Sequence, residues 1–194
     1  VLVAGGGVVL SRAFPELREF VELLGIPTLT TASGRGSIPE DHPLAFGLVG
    51  LYRTNLGKKI YQEADLLVNV GSRFEEFQSG GWKYFPEGAR YVQVDIDPFE
   101  ISRNWIPDVG IVGDAKLVLR DLTQGIREKV KKEKLEEMPR VKQLIQAKEE
   151  YEAEVESECM TDAVPIKTKR VVKELNKVFG KNTILVNENG MQDL

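Results

Sequence analysis

Apolar residues along this chain fall into two alternating periods. Leu2–Ala4 is a short continuous run that stops at Gly5-Gly6-Gly7. Over residues 13–24, Phe14, Leu17, Phe20, Val21 and Leu24 recur at helical spacing, which predicts an amphipathic helix closed by Gly25 as its C-cap. Residues 27–31 are rich in β-formers and run into the loop Ala32-Ser33-Gly34-Arg35-Gly36. Strand, helix and strand within about thirty residues make a βαβ unit. The pattern repeats with a helix over 54–64, its face set by Leu56, Ile60 and Ala64. Strands follow at 65–70, ending on Gly71, and at 90–94, ending on Asp95-Ile96-Asp97-Pro98. Another follows at Val109–Val112, ending on Gly113-Asp114.

Continuous apolar strands alternating with helices imply a parallel sheet covered on both faces. The expected fold is α/β: a Rossmann-like, doubly wound, six-stranded parallel sheet with a C-terminal helical appendage. Such sheets bind ligands at the carboxyl ends of their strands. Those ends here carry Gly5–Gly7, Thr31, Gly71, Asp95 and Asp114. Beyond Asp114 the pattern changes. Residues 115–134 and 140–158 predict highly charged helices split by Pro139, with Lys148 and Glu152 an i,i+4 pair, and they read as solvated faces. Residues 161–165 read as a linker. Thr168–Phe179 predicts an amphipathic helix with Val171, Val172, Leu175 and Val178 on its apolar side, and 183–186 a strand. A lone helix and strand cannot close a core, so they read as the opening of a further domain. The expected division is 1–122, a charged helical linker at 123–163, and 164–194.

Composition narrows the function classes. The chain has 194 residues, 42% hydrophobic and 29% charged, which is enough for one cored domain with an appendage. A net charge of −4 argues against a general nucleic-acid binder. No apolar stretch approaches the roughly 20 residues that span a bilayer, and no signal peptide is visible. The chain opens on Val1 within an apolar run, as one trimmed from a longer polypeptide would. Its single cysteine, Cys159, excludes an internal disulfide and paired-cysteine zinc sites. It reads as an inert thiol in a reducing cytoplasm, since Glu156 and Glu158 would raise a thiol pKa. The single histidine, His42, lies in a Pro-bracketed turn at 39–43 and reads as structural or surface rather than as a catalytic base.

The glycine cluster is not a dinucleotide fingerprint. Leu10 stands where the third glycine of G-x-G-x-x-G belongs, and the second strand ends on Thr30-Thr31 with no acid for a ribose. An ordinary NAD-dependent dehydrogenase is therefore not the expected class, and no G-x-x-x-x-G-K-[ST] loop exists. The cluster either makes a tight turn or presents backbone N–H groups to a pyrophosphate. Asp95 is suited to ribose hydroxyls and Arg73 to a phosphate or a ring. Asp97, directly before Pro98, is expected to cap a helix there, which leaves Asp95 for a ligand.

Several segments together resemble one family. They are Gly25-Ile26-Pro27 with Ser33-Gly34-Arg35-Gly36, Ile38 to Pro43, Ala64 to Leu67, Val70 to Phe74, Val94 to Pro98, and Val112 to Ala115. Over residues 1–122 they resemble the central domain of thiamine-diphosphate (ThDP) enzymes, most closely acetolactate synthase large subunits. Residues 164–194 resemble the start of that family's diphosphate-binding domain. The resemblance implies a polypeptide of pyrimidine-binding, central and diphosphate-binding domains. It also implies ThDP and Mg²⁺, held mostly outside this chain, and FAD or ADP in the central domain. Matched by position, that nucleotide would meet Gly6, Thr31, Ala32, Val49, Gly50, Leu51 and Tyr52. It would also meet Gly71, Ser72, Arg73, Phe74, Glu75, Asp95, Ile96, Asp114 and Ala115. Met191 and Gln192 match the loop where the ThDP diphosphate begins to be held. The implied reaction decarboxylates pyruvate and joins the carbanion to a second 2-oxo acid, in branched-chain amino acid biosynthesis. A homo-oligomer and a regulatory subunit are implied too. Two segments depart from the acetolactate synthase pattern. Leu51-Tyr52-Arg53 replaces Met-His-Gly, and Phe77-Gln78-Ser79-Gly80 replaces Arg-Val-Thr-Gly. Both stretches lie against the flavin in that family. Oxalyl-CoA decarboxylase-like relatives keep ADP there, so another ThDP decarboxylase and a non-catalytic nucleotide module are the rival expectations.

Overall fold

The computed structural model describes residues 1–130, 133–179, 183, 184 and 186. The chain forms two compact units, Val1–Ile145 and Gln146–Leu194. The strands of the first are β1 (Leu2–Ala4), β2 (Thr28–Thr30), β3 (Ala45–Leu48), β4 (Leu66–Val70), β5 (Arg90–Asp95) and β6 (Val109–Val112). All pair in parallel, in the order β3-β2-β1-β4-β5-β6. The expected six-stranded parallel sheet is thus the observed one. Its helices are α1 (Gly6–Leu10), α2 (Phe14–Leu24), α3 (Asn55–Gln62), α4 (Ala115–Arg127) and the start of α5 (Pro139–Cys159).

Strand alternation sends successive side chains to opposite faces, and each face has its own core. Leu2, Ala4, Val68, Val70 and Val94 pack under α2 and α4, against Leu17, Val21 and Leu119. Val1, Val3, Leu29, Leu67 and Tyr91 pack on the other face with Tyr61 of α3 and Phe74. Burying one such aliphatic side chain contributes roughly 1.5–3 kcal/mol, so the doubly covered sheet is the main source of stability. The helix ends are chemically marked. Gly25 sits at φ +60 and its N–H donates to the Val21 carbonyl. The Thr54 hydroxyl caps α3 by accepting from Gly57 N–H. Asp114 caps α4 by accepting from the N–H groups of Lys116 and Leu117.

Four local expectations are corrected. No strand was expected at Ala45–Leu48: it is short, interrupted by Gly47 at φ +83, and pairs with β2 through a register shift. No helix was expected at α1 either, because its first turn is glycine. The expected helix after Pro98 is absent. Asp97 closes a tight turn there, its carboxylate accepting from Phe99 N–H at 2.9 Å. Finally, α4 ends at Arg127 rather than 134, since only Val130 among the next residues is apolar.

In the second unit the remainder of α5 is followed by α6 (Thr168–Phe179), whose bounds are the expected ones. Lys169 and Lys173 of α6 pair with Glu158 and Glu156. Cys159 is buried. The strand expected at 183–186 falls partly outside the described residues, and Thr183, Ile184 and Val186 carry no strand. Met191 and Gln192 lie outside them entirely. Among the described residues no helix is long and apolar enough to cross a membrane.

Candidate nucleotide site

The sheet order reverses direction between β1 and β4, which is where open α/β sheets form their ligand crevice. The loops at that point are tied to one another by backbone hydrogen bonds. Gly5 N–H donates to Val70 O and Gly7 N–H to Gly71 O, both at 2.9 Å. Gly71 N–H donates to Val94 O at 2.8 Å. This contact explains the glycines. A Cβ on Gly5 would lie 2.2 Å from Gly71 O, and one on Gly71, which has φ +63, would lie 2.7 Å from Gly7 Cα. Here the first demand on Gly5-Gly6-Gly7 is close packing of two loops.

On the β4-β5-β6 side of that contact lies an open cleft of about 370 Å³. Its polar walls come from three strand ends: Gly71 and Arg73 after β4, Asp95 on β5, and Asp114 after β6. Ile96 and Ala115 complete that side. Gly7, from the glycine cluster expected at the strand ends, closes the other with Leu10 and Ser11, which were not picked out from sequence. Their signal would have been α1 itself, because a helix begun at Gly6 places Leu10 one turn on, over the same strand end. Leu10 and Ile96 are strongly exposed apolar side chains in its lining.

The electrostatics are mixed. Asp95 is nearly buried, and one of its oxygens accepts from Asp97 N–H at 3.0 Å. Asp114 is already the cap of α4, so its charge answers that helix dipole. Arg73 is exposed and lies 3.1 Å from Glu75. Two carboxylates accept hydrogen bonds from hydroxyls or amines, and one guanidinium meets an anion. A nucleoside phosphate offers all of these groups.

The loop carrying Gly71 and Arg73 is anchored from below. Asn69 on β4 donates to Ser72 O at 2.6 Å and to the Tyr91 hydroxyl at 3.2 Å. Burial pushes the Tyr91 phenol up to about 12, so it stays protonated; the Asn69 hydrogen bond opposes that shift and the Asp95 charge adds to it. The Ser72 hydroxyl accepts from Phe74 N–H at 3.1 Å. Phe74 is 1% exposed and held at φ +50. Its ring packs against Trp105 at 5.3 Å and Phe85 at 6.2 Å. Glu75 N–H donates to the Gln78 side chain at 3.0 Å. On β5, Gln93 similarly holds the next loop, donating to Glu100 O and accepting from Ser102 N–H. These clamps, too, were not legible in the sequence.

The remaining expected contacts lie at the ends of β2 and β3. Thr31 is 2% exposed; its N–H donates to Ala4 O and its hydroxyl accepts from Gly34 N–H. Ala32 opens the short 3₁₀ turn Ala32–Gly34. Gly6 faces Ser33 of that turn, where a Cβ would approach to 3.1 Å. Val49 is 5% exposed and its N–H donates to Thr30 O. Gly50, at φ +85, lies so near the Phe77 carbonyl that a Cβ would sit 1.9 Å from it. Leu51 N–H donates to that same carbonyl at 3.0 Å. The Tyr52 ring stacks parallel on Phe77, with centroids 6.4 Å apart. Arg53 donates to Gly50 O at 2.5 Å and lies 3.6 Å over the Tyr84 ring.

With this geometry, comparison with known proteins gives the class. The chain belongs to the family "Thiamine pyrophosphate enzyme, central domain", which matches residues 1–122. Among curated proteins it is 37% identical over its whole length to a probable acetolactate synthase large subunit of Methanococcus aeolicus, covering 34% of that protein. It is 39% identical to the corresponding Methanocaldococcus jannaschii protein, covering 33% of it. It is also 34% identical to a glyoxylate carboligase of Escherichia coli O157:H7, covering 32%. The chain thus spans about a third of the length of these relatives.

Proposed function

We propose that this chain is the nucleotide-binding central part of a ThDP-dependent carboligase of the acetolactate synthase kind. The observation that carries the proposal is the open cleft at the β1/β4 reversal, lined by Arg73, Asp95 and Asp114. On this reading the cleft takes the ADP moiety common to ADP and FAD. Its volume is near the lower end of the roughly 300–1,000 Å³ typical of small-molecule sites. Asp95 and Asp114 would accept from ribose hydroxyls, Arg73 would meet the pyrophosphate, and Leu10 and Ile96 would flank the base.

In the full enzyme ThDP, with Mg²⁺, supplies carbanion chemistry, and this domain holds its nucleotide structurally. The substrates are 2-oxo acids, pyruvate first among them, and the product serves branched-chain amino acid biosynthesis. Residues 1–122 form the nucleotide domain, 123–163 a charged linker and 164–194 the opening of the diphosphate-binding domain, whose Met191 and Gln192 approach ThDP. The assembly is a cytoplasmic homo-oligomer that can take a regulatory subunit.

Acetolactate formation from pyruvate by the complete polypeptide with ThDP and Mg²⁺ tests this reading. Release of an aldehyde without carbon–carbon bond formation would instead favour a decarboxylase. The 194-residue chain alone is expected to be inactive in either assay.

A further inference from the structure

We infer that the free edge of the sheet, β6 with the apolar side chains around it, is the surface on which two copies of this chain meet edge to edge. The inference does not depend on the nucleotide reading. It gives the homo-oligomer proposed above a contact surface, and it can fail while the nucleotide reading stands.

Four observations carry it. First, β6 ends the sheet order and, among the described residues, pairs only with β5. The Asp108 N–H just before it donates to Tyr91 O of β5 at 2.8 Å. Backbone alternation then turns the Val109 and Ile111 N–H groups to the unpaired side. A row of unpaired N–H and C=O groups is a template for another strand. Second, this edge is apolar and unguarded. Val109–Val112 contains no lysine or proline, and its register with β5 is continuous. Val109 is 50% exposed and Val112 57%. Ile106, three residues earlier, is 86% exposed, and Phe99 87%. The turn after Phe99 lies against the strand, since a Cβ on Gly110 would sit 2.7 Å from the Ile101 side chain. Third, the opposite edge is closed. Ala45 and Phe46 of β3 are buried, and Gly47 at φ +83 interrupts the strand. Helix α3 sits so close that a Cβ on Gly57 would lie 2.8 Å from Phe46 O. A β6 edge therefore finds no β3 edge on another copy, so no open head-to-tail array forms. What remains is β6 against β6 about a twofold axis. Fourth, the area suffices. Phe99, Ile106, Val109 and Val112 offer on the order of 500 Å² of apolar surface per copy. Apolar surface makes up about 65% of a homodimer interface, so this patch matches the roughly 800 Å² per partner of a standard one.

The test is sedimentation velocity of the 194-residue chain over a concentration series, with amide hydrogen exchange read at its two ends. The expected result is a dimer with a Kd of about 10 μM or tighter. Exchange at the Val109 and Ile111 amides should slow about tenfold or more in that dimer. The double substitution Val109→Lys/Val112→Lys puts charge on the edge and should weaken the dimer about tenfold or more without moving the urea midpoint. Phe99→Ser/Ile106→Ser leaves β6 untouched and should weaken it to a similar degree, and it decides alone if the first variant does not fold. A chain that stays monomeric at about 100 μM overturns the inference. Growth beyond the dimer overturns it too, as does a dimer that survives the substitutions undiminished.

Discussion

The two halves of the sheet's carboxyl edge have the same origin and opposite outcomes. Each is a row of parallel strands ending in glycine, threonine or aspartate. After β5 and β6 the chain turns at once, through the Asp95–Asp97 turn and straight into α4, and leaves carboxylates beside a cleft. After β2 and β3 it runs sideways through the 3₁₀ turns Ala32–Gly34 and Gly50–Tyr52, which lie down on neighbouring loops. There Thr31 and Gly50 find partners within the protein. Glycine at a strand end therefore does not by itself announce a ligand. What marks the first half as a candidate site is that charged side chains from three strand ends meet at one cleft.

The largest effect is expected at the residue that joins the halves. Phe74 follows Arg73 of the open cleft, and its ring anchors the aromatic cluster beneath. Phe74→Ala should cost about 3–5 kcal/mol in urea denaturation, as truncations of buried aromatics do. A loss under about 1 kcal/mol would mean that the two halves do not share this support. Next comes a contrast between two glycines. Gly50→Ala meets the Phe77 backbone at φ +85, whereas a Cβ on Gly113 meets only the movable Val118 side chain at 2.8 Å. Gly50→Ala should cost about 1–3 kcal/mol and Gly113→Ala less than about 1. Equal costs would show that the closed half is no tighter than the open one.

A third substitution acts on binding. Asp95→Asn keeps an oxygen for the Asp97 N–H but removes the charge that faces the cleft. ADP affinity should fall about tenfold, the scale of a hydrogen bond to a charged group, with little change in stability. An undiminished affinity, measured by dialysis, would move the ribose away from Asp95.

How much of this was readable before folding follows from the range of the forces. The sheet, α2 and α6 were legible because their apolar period is local and strong. β3 was not, since Gly47 and a register shift hide a four-residue edge strand that its pairing with β2 stabilises. At the site, Arg73, Asp95 and Asp114 stood out as charges at apolar strand ends, and the cleft brings them together. Leu10 and Ser11 could not stand out, because their place depends on a helix whose glycine start has poor propensity. The Tyr52–Phe77 stack is non-local, made by residues twenty-five apart, and sequence offered only two unrelated departures from a pattern.

The smallest expected effect concerns the edge strand of the closed half. His42 ends the turn that delivers β3, and its ring is buried. His42 Nδ1 accepts from Leu44 N–H at 3.1 Å, so the proton sits on Nε2, 3.0 Å from the Glu22 carboxylate of α2. Burial, the largest influence on Glu22, pushes its carboxyl up. Hydrogen bonds from Arg18 and His42, with the Arg18 charge, outweigh it and hold the carboxyl below its ordinary value. A pKa lowered by folding contributes stability above the unfolded-state value of about 4.3 and loses it as pH falls through the folded one. Glu22 is about a third exposed, so solvent screening keeps the contribution to about 1 kcal/mol or less. Glu22→Gln should therefore be slightly less stable than the unmodified chain at pH 7 and indistinguishable from it near pH 3, in paired urea titrations. If the gap persists in acid, the carboxylate charge is not what pins the turn before β3. The closed half would then owe its edge to the Leu44 hydrogen bond and strand pairing alone.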